Sequence, residues 1–430
     1  MPDWGDRVDP DFDFLKDSYS VEHDIDPYEH DQYSHGIYKN SSPYDGILLS
    51  LSNFEKKIKL TNDNHGRLFI KNKINVKDYL KIPVSSSIKV MGDCGAYSYV
   101  AQPEPPEFYS VEHVAEIYSK LKFDLGVSPD HIAIKYFLTK ENNKKIYTEV
   151  SLKERERRRK LTLSNSEQFI NLVHEKKYKF RPIGVAQGYN PLSYEKSVKT
   201  LISQGYDYIA LGALVQYNDK EILKILKRIE PFLNGIDLHL FGVLRPNNIA
   251  QFQKLGVTSF DSTSYLRKAW LRSGQNYLAS NGKWYSAIRV PYSNNKKLIA
   301  TAEDHNIPLE QLKTLEINAY NSLIKYVNGT LNLNDTLSNV MAYDRLLIRS
   351  SKGEEKLEAR YKNTLLDRPW EKCNCEICQK NGIDVLIFRG TNRNKRRGFH
   401  NIWTFRNSNL EFFKSNADEN NEVLNAEIKT

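Results

Sequence analysis

Residues 182–211 open with the short apolar run Pro182-Ile-Gly-Val-Ala-Gln187 and close with a second, Tyr206-Asp-Tyr-Ile-Ala-Leu211. Between them, Tyr194–Gln204 spaces its apolar residues as an amphipathic helix does. Two short apolar runs joined by one helix read as a parallel β-α-β unit, because only a crossover returns a second strand in the same direction. The pattern extends both ways. Upstream, Gly46-Ile-Leu-Leu-Ser-Leu51, Ile88-Lys-Val-Met-Gly-Asp93 and His131-Ile-Ala-Ile-Lys-Tyr136 read as strands. Downstream, Gly235-Ile-Asp-Leu-His-Leu-Phe241 and Val257-Thr-Ser-Phe-Asp261 do the same. Val111–Leu121, Ser166–Lys177 and Lys220–Phe232 read as the helices between them. About seven strands form one unbroken series, and Leu68–Lys71 and Trp284–Val290 are candidates for an eighth. The expected fold is α/β, a (β/α)8 TIM barrel in preference to an open doubly wound sheet. No GxGxxG follows any strand, which argues against dinucleotide binding.

Asp93, Gln187, Gly212, Gly242 and Asp261 all fall at or just past the C-terminal ends of these strands. In a barrel those ends converge on one face, where catalytic groups sit. A single Asp there can equally cap the next helix; five small or polar residues at successive strand ends are harder to read as caps.

Cys373-Asn-Cys375-Glu-Ile-Cys378 gathers three of the chain's four cysteines, and His400 follows in Gly-Phe-His-Asn. Three thiolates and a neutral imidazole make a closed tetrahedral set for Zn2+, structural because no position is left for water or substrate. Three reduced thiols clustered by chance are the other reading. The site would define a zinc-binding subdomain inserted late in the chain. The expected divisions are an acidic, aromatic-rich arm at 1–45, the barrel at 46–300, a helical and zinc-binding region at 301–410 that completes the barrel, and a polar tail at 411–430.

The net charge of +9 conceals an asymmetry. Residues 1–45 hold 12 acidic and 3 basic side chains, so the remaining 385 carry +18. A body that basic suits a polyanion, nucleic acid first, although a Lys-rich soluble surface has the same composition. The arm reads as an extended segment that packs by its aromatics, either shielding a basic cleft or lying solvated. Contacts that position a phosphate backbone without reading its sequence are expected from three places. These are Arg157, Arg158 and Arg159 in the run 153–160 (otherwise an exposed helix start), Arg396 and Arg397 beside His400, and Arg267 with Lys268. No run of 18 apolar residues occurs, so no membrane span is expected. Met1-Pro-Asp-Trp-Gly-Asp6 lacks the basic and apolar regions of a secretory signal. Cysteines clustered as ligands, with no disulfide framework, point to a reducing cytoplasm.

From about residue 46 to 406 the chain resembles the tRNA-guanine transglycosylases of the queuine/archaeosine type, and more narrowly the Dpd-type branch that inserts 7-deazaguanine bases into DNA. Asp93-Cys-Gly-Ala-Tyr97-Ser98 is similar to that branch's form of the first motif, which in the tRNA enzymes is Asp-Ser-Gly-Gly-Phe-Gln. Asp124-Leu-Gly-Val-Ser-Pro-Asp130, Gly184-Val-Ala-Gln187-Gly188, Leu211-Gly212-Ala-Leu214, Phe241-Gly242-Val243 and Phe260-Asp261 match the later motifs in order. The Cys-x-Cys-x-x-Cys…His set matches the family's structural zinc site.

The resemblance implies guanine exchange at a nucleoside. Asp261 would be the nucleophile and Asp93 the general acid/base. Tyr97 and Phe241 would sandwich the base, with Gly242 packed beside them. Asp130 would read its N1–H and 2-amino edge, while Gln187 and the Gly212 N–H would bind its carbonyl oxygen. Bacterial tRNA enzymes carry a Glu after Gly-Gly-Leu that accommodates a 7-aminomethyl cation. Here Leu214-Val-Gln216-Tyr217 has no carboxylate, so a neutral substituent is expected and the incoming base would be 7-cyano-7-deazaguanine. The family also implies DNA, double-stranded or locally opened, as a partner, an ATP-dependent protein that opens the duplex, and a homodimer. Two other readings remain: the same exchange on tRNA, and a non-catalytic zinc protein that binds nucleic acid. The chain ends about 30 residues after His400, which leaves no room for an appended RNA-binding domain and favours DNA.

Overall fold

The computed structural model describes residues 6–39, 41–52, 75–141, 144–271, 274–347 and 351–409. The candidate strand Leu68–Lys71 and the polar tail at 411–430 lie outside them. The chain divides into two compact units: Asp45–Thr263, and Pro2–Tyr44 together with Ser264–Thr430. The boundary expected near residue 300 falls at 263, and the arm belongs with the C-terminal half.

Among the described residues of the first unit, seven strands form one parallel sheet: β1 (Gly46–Ser50), β2 (Lys89–Asp93), β3 (Leu125–Val127), β6 (Arg181–Ala186), β7 (Tyr208–Leu211), β8 (Asp237–Leu240) and β9 (Val257–Phe260). Two further strands, β4 (Tyr136–Glu141) and β5 (Lys144–Glu149), form a separate antiparallel hairpin. Each sheet strand pairs with the next in chain order and the order never reverses. A doubly wound sheet needs a reversal. Without one, right-handed crossovers put every helix on the same face, and the other face is covered only if the sheet curls on itself. This is the (β/α) barrel plan.

Helices α1 (Val111–Lys120), α2 (Leu152–Glu175), α3 (Pro191–Ser203) and α4 (Asp219–Ile229) start where caps satisfy their free N–H groups. Asn190 with Ser193, and Asn218 with Glu221, form reciprocal capping boxes. Strand alternation sorts the side chains. Ala186, Ile209, Leu211, Leu238 and Leu240 pack towards the helices against Tyr194, Leu201 and Ile225. Met91, Val127, Ile183, Val185, Tyr208 and Ala210 form a second cluster on the opposite face, joined by Phe241. That parity carries Asp93, Gln187 and Gly212 to the inner face at the strand ends.

Asp261 reaches this face differently. Val257 packs with the helix-side cluster, so plain alternation would send Ser259 and Asp261 the same way. The β8–β9 register slips between Leu238 and His239. Thr258 is the extra residue, and its Oγ1 accepts the Leu238 N–H at 3.1 Å. The phase flips: Phe260 packs with the helix-side cluster, and Ser259 faces His239. A bulge of this kind re-aims a side chain beside a site.

Three expectations change. His131–Tyr136 is no barrel strand; the third strand is Leu125–Val127, and residues 131–135 are loop leading into the hairpin. Ser166–Lys177 is only the second half of α2, which absorbs the charge run 153–160. Trp284–Val290 does not join the sheet: Trp284–Tyr285 pairs antiparallel with Tyr277–Leu278, and Ile288–Arg289 pairs parallel with Ile387–Phe388.

The second unit is built on α5 (Leu309–Val327), α6 (Leu333–Asp344), α7 (Ser351–Asp367), α8 (Glu376–Asn381) and α9 (Gly390–Ser408). The described part of the arm is not an extended segment. It folds into short helices and lays Phe12 and Phe14 under the Arg393 guanidinium. Asp17 pairs with Arg389 and Arg393, and the Asp9 carbonyl accepts from Arg396 at 2.6 Å. Acidic arm and basic helix satisfy each other.

Candidate active site and metal centre

Asp261 stands just past β9. Its Oδ1 accepts the Gly242 N–H at 2.8 Å and faces His239 Nε2 at 3.3 Å. His239 Nδ1 meets Ser259 Oγ at 2.7 Å, and Ser259 Oγ meets the Tyr208 hydroxyl at 2.6 Å. One proton arrangement satisfies the whole chain: Tyr208 donates to Ser259, Ser259 to His239 Nδ1, and His239 Nε2–H to the carboxylate. Burial by itself would raise the Asp261 pKa. The bonds from His239 and Gly242 outweigh it and hold the group below the usual carboxylate value, so it stays ionised. Gly242 has φ +68°, a conformation that turns its N–H onto Asp261 and that L side chains rarely adopt.

Asp93 and Asp130 lie together with Cys94, their ligand atoms within 4.8 Å of one another. Burial raises the Asp93 pKa, and the Asp130 and Asp261 charges add to it, against the Gly95 N–H and Ser50; the result is about 7. Asp93 therefore feels both other carboxylates. Burial likewise lifts Asp130 to about 6, opposed by Cys94 and Gln187. The Cys94 thiol, fully buried, donates to Asp130 Oδ1 at 3.3 Å. Burial and the two carboxylates push its own pKa well up, so it stays a thiol.

Gln187 Nε2 donates to Asp130 Oδ2 at 2.6 Å, and its Oε1 accepts the Ala133 N–H at 3.2 Å. It lies over Gly212, where a Cβ would come within 2.2 Å of Gln187 Nε2. The Gly212 N–H donates to the Ala186 carbonyl at 3.1 Å. That corrects the role read from the sequence: the N–H is already used in the strand pairing, and the residue's contribution is the space it leaves. Gly242 is likewise placed against Asp261 by its N–H. Tyr97 is 62% exposed on the turn after Asp93, and Phe241 is half-buried with its ring edge-on to His239 at 4.9 Å.

In the second unit, His400 Nδ1 lies 3.7, 3.4 and 3.4 Å from the sulfurs of Cys373, Cys375 and Cys378. A tetrahedral ion with bonds of about 2.3 Å to sulfur and 2.0 Å to nitrogen separates its N and S ligands by roughly 3.5 Å, so the four groups fit a metal ion. His400 Nε2–H donates to the Leu278 carbonyl at 2.7 Å, which leaves Nδ1 bare toward the sulfurs. Tyr277 stacks on the imidazole at 4.0 Å and its hydroxyl meets Cys378 Sγ at 3.2 Å.

Residues 104–386 match the family profile described as Queuine tRNA-ribosyltransferase. The chain is also 39% identical over 408 residues, 94% of each chain, to a Salmonella montevideo protein named DNA-guanine transglycosylase. The chain belongs to the tRNA-guanine transglycosylase family. It is a pentosyltransferase acting on guanine. The profile match starts after Asp93-Cys94-Gly95-Ala96.

The transglycosylase brings Asp93, Asp130, Gln187, Gly212, Phe241, Gly242 and Asp261 to one set of strand ends. The expected phosphate contacts fare differently. Arg158 is buried on the carbonyls of Val100 and Ile132. Arg159 is buried against Glu156 and Ser197. Arg396 is buried with Asn392 and the Asp9 carbonyl, and Arg397 on the carbonyls of Ala269, Val385 and Ile387. These four are structural, because guanidinium groups already desolvated and saturated cannot reach a phosphate. Arg157 is held by Glu154 and Glu104. Arg267 is exposed, while Lys268 sits over the Trp284 ring at 4.2 Å. His239, Ser259 and Tyr208 were missed by sequence reasoning. The available signal was His239 two residues before Phe241, a titratable residue set between Leu238 and Leu240.

Proposed function

We propose that this transglycosylase replaces guanine in DNA with 7-cyano-7-deazaguanine through a covalent aspartyl–sugar intermediate. The Asp261 carboxylate attacks C1′ and the C1′–N9 bond breaks. Protonated Asp93 gives its proton to the departing purine. The incoming 7-deazaguanine then returns a proton from N9 to Asp93, forms its own bond to C1′ and frees the Asp261 carboxylate. Asp130, held by Gln187, accepts from the N1–H and 2-amino edge, and Tyr97 and Phe241 form the slot for the ring. The carrying observation is that neighbouring carboxylates diverge: Asp261 is held ionised while Asp93 is raised to about 7. A nucleophile must be charged, and a proton shuttle works best near the ambient pH.

DNA is favoured by the Salmonella relative's name and by the basic body of the chain. A neutral 7-substituent is favoured by Gln216, whose amide is already bonded to the Lys135 N–H and the Tyr136 carbonyl. Cys373, Cys375, Cys378 and His400 would hold Zn2+ in a structural role. The test is incubation with labelled 7-cyano-7-deazaguanine and either plasmid DNA or tRNA, followed by mass spectrometry of the nucleosides. Label entering only tRNA would overturn the DNA assignment. Asp261→Asn should abolish incorporation and the covalent adduct while DNA binding persists; unchanged incorporation would remove Asp261 as nucleophile.

A further inference from the structure

The loop that carries Asp130 does not run directly into α2. It first projects the β4–β5 hairpin, which begins six residues after Asp130 and so rises from the same strand-end face as the site. Its base is fixed. The Val150 N–H donates to the Lys135 carbonyl at 2.8 Å. Gln216, in the loop after β7, accepts the Lys135 N–H and donates to the Tyr136 carbonyl, both at 2.8 Å. Phe137 packs against the small cluster of Val100, Ile134 and Val150.

Above that base, described side chains of the hairpin face water. Register sets Leu138 opposite Tyr147, with Tyr136 diagonal to Tyr147 on the same face. Tyr136, Leu138 and Tyr147 are 44%, 39% and 68% exposed, and the two tyrosine rings meet edge-on at 6.1 Å. Among the described residues the hairpin pairs with no third strand. A two-stranded sheet of this kind has little stability of its own, yet it is pinned at its root and presents aromatic surface to water. In sequence, Lys140, Lys144 and Lys145 lie between Leu138 and Tyr147.

We propose that the β4–β5 hairpin holds the DNA strand beside the guanine being exchanged, with Tyr147 and Tyr136 stacking on its unpaired bases. This rests on the reading that DNA is the substrate. A base that enters the pocket must leave its stack, which exposes the faces of its neighbours. Aromatic rings next to cationic residues are the chemistry that takes up such faces. Gln216 then has a positioning role: it ties the hairpin root to the β7 strand end so that ring and pocket keep a fixed separation.

The experiment measures base exchange by Tyr147→Ala, by Tyr136→Ala/Tyr147→Ala and by Tyr147→Phe, and the emission of Tyr147→Trp on titration with a single-stranded oligonucleotide. The expected result is a KM for DNA raised about fivefold or more per ring removed, with kcat and the KM for the free base unchanged. Tyr147→Phe keeps the wild-type KM, and the Tyr147→Trp emission is quenched by the oligonucleotide. Wild-type exchange on DNA together with an unchanged KM for the double variant and unquenched emission would overturn the inference alone. Wild-type exchange confined to tRNA would instead overturn the DNA reading on which it rests. Quenching by a co-purified protein but not by the oligonucleotide would also refute it, and would assign the face to a protein partner.

Discussion

Gly212→Ala separates two accounts of the same residue. The substitution keeps the backbone N–H, and Gly212 is not among the glycines with positive φ, so alanine meets no conformational penalty there. What changes is space: the new Cβ would sit 2.2 Å from Gln187 Nε2 and 2.8 Å from its Cδ. Gln187 is buried and bonded at both ends, so it moves only by giving up a bond. The bond to Asp130 is the costly one, because Asp130, near pKa 6, is mostly ionised at pH 8. A hydrogen bond to a charged group is worth about 1.5–3 kcal/mol. At 1.36 kcal/mol per decade, kcat/KM for base incorporation should fall roughly 10- to 150-fold. Steady-state incorporation of labelled base at pH 8, with a thermal melt as the control for folding, measures it. If Gly212 acted through its N–H, alanine would be silent. Activity within about twofold of wild type would refute the packing argument and restore the N–H role.

Asp93 carries a pH signature. Its pKa rises from 3.8 unfolded to about 7 folded, so its stability contribution is fully present below 3.8 and lost as pH rises through 7. Asp93→Asn removes that loss: its Tm should gain on wild type between pH 5 and pH 8 while incorporation disappears, and a pH-independent difference would contradict the assignment. His239→Phe removes a donor that helps hold Asp261 ionised. The acidic limb of kcat/KM should move to higher pH, with a loss of about tenfold at its foot; a parallel loss at all pH values would make His239 merely structural. Cys375→Ser should lower metal content by elemental analysis and Tm together, because a closed ligand set couples metal binding to folding. A stable variant that keeps full activity without metal would end the structural role.

Periodicity gave most of the barrel because it is a local property. Pro182–Gln187 and Tyr206–Leu211 overlap β6 and β7, whose apolar content shows in four to six residues. Leu125–Val127 escaped because three residues carry no period, while His131–Tyr136 looked like a strand because Ala133 and Ile134 are buried in loop structure. The four candidate metal ligands were legible for the same local reason, with three of them inside six residues. Charge was the poorest guide. Arg158, Arg159, Arg396 and Arg397 read as a basic surface, but their partners lie up to 387 positions away and bury them.

The sequence by itself determined which residues stand at the strand ends and which four can share a metal, since both follow from spacing along a short stretch of chain. Only the tertiary structure decided what those residues do. The slip at Thr258 turns Asp261 inward, the relay through His239 keeps it charged, and burial together with Asp130 raises the pKa of Asp93. Each depends on a neighbour brought close by folding, and electrostatic and steric effects act through space, not along the chain.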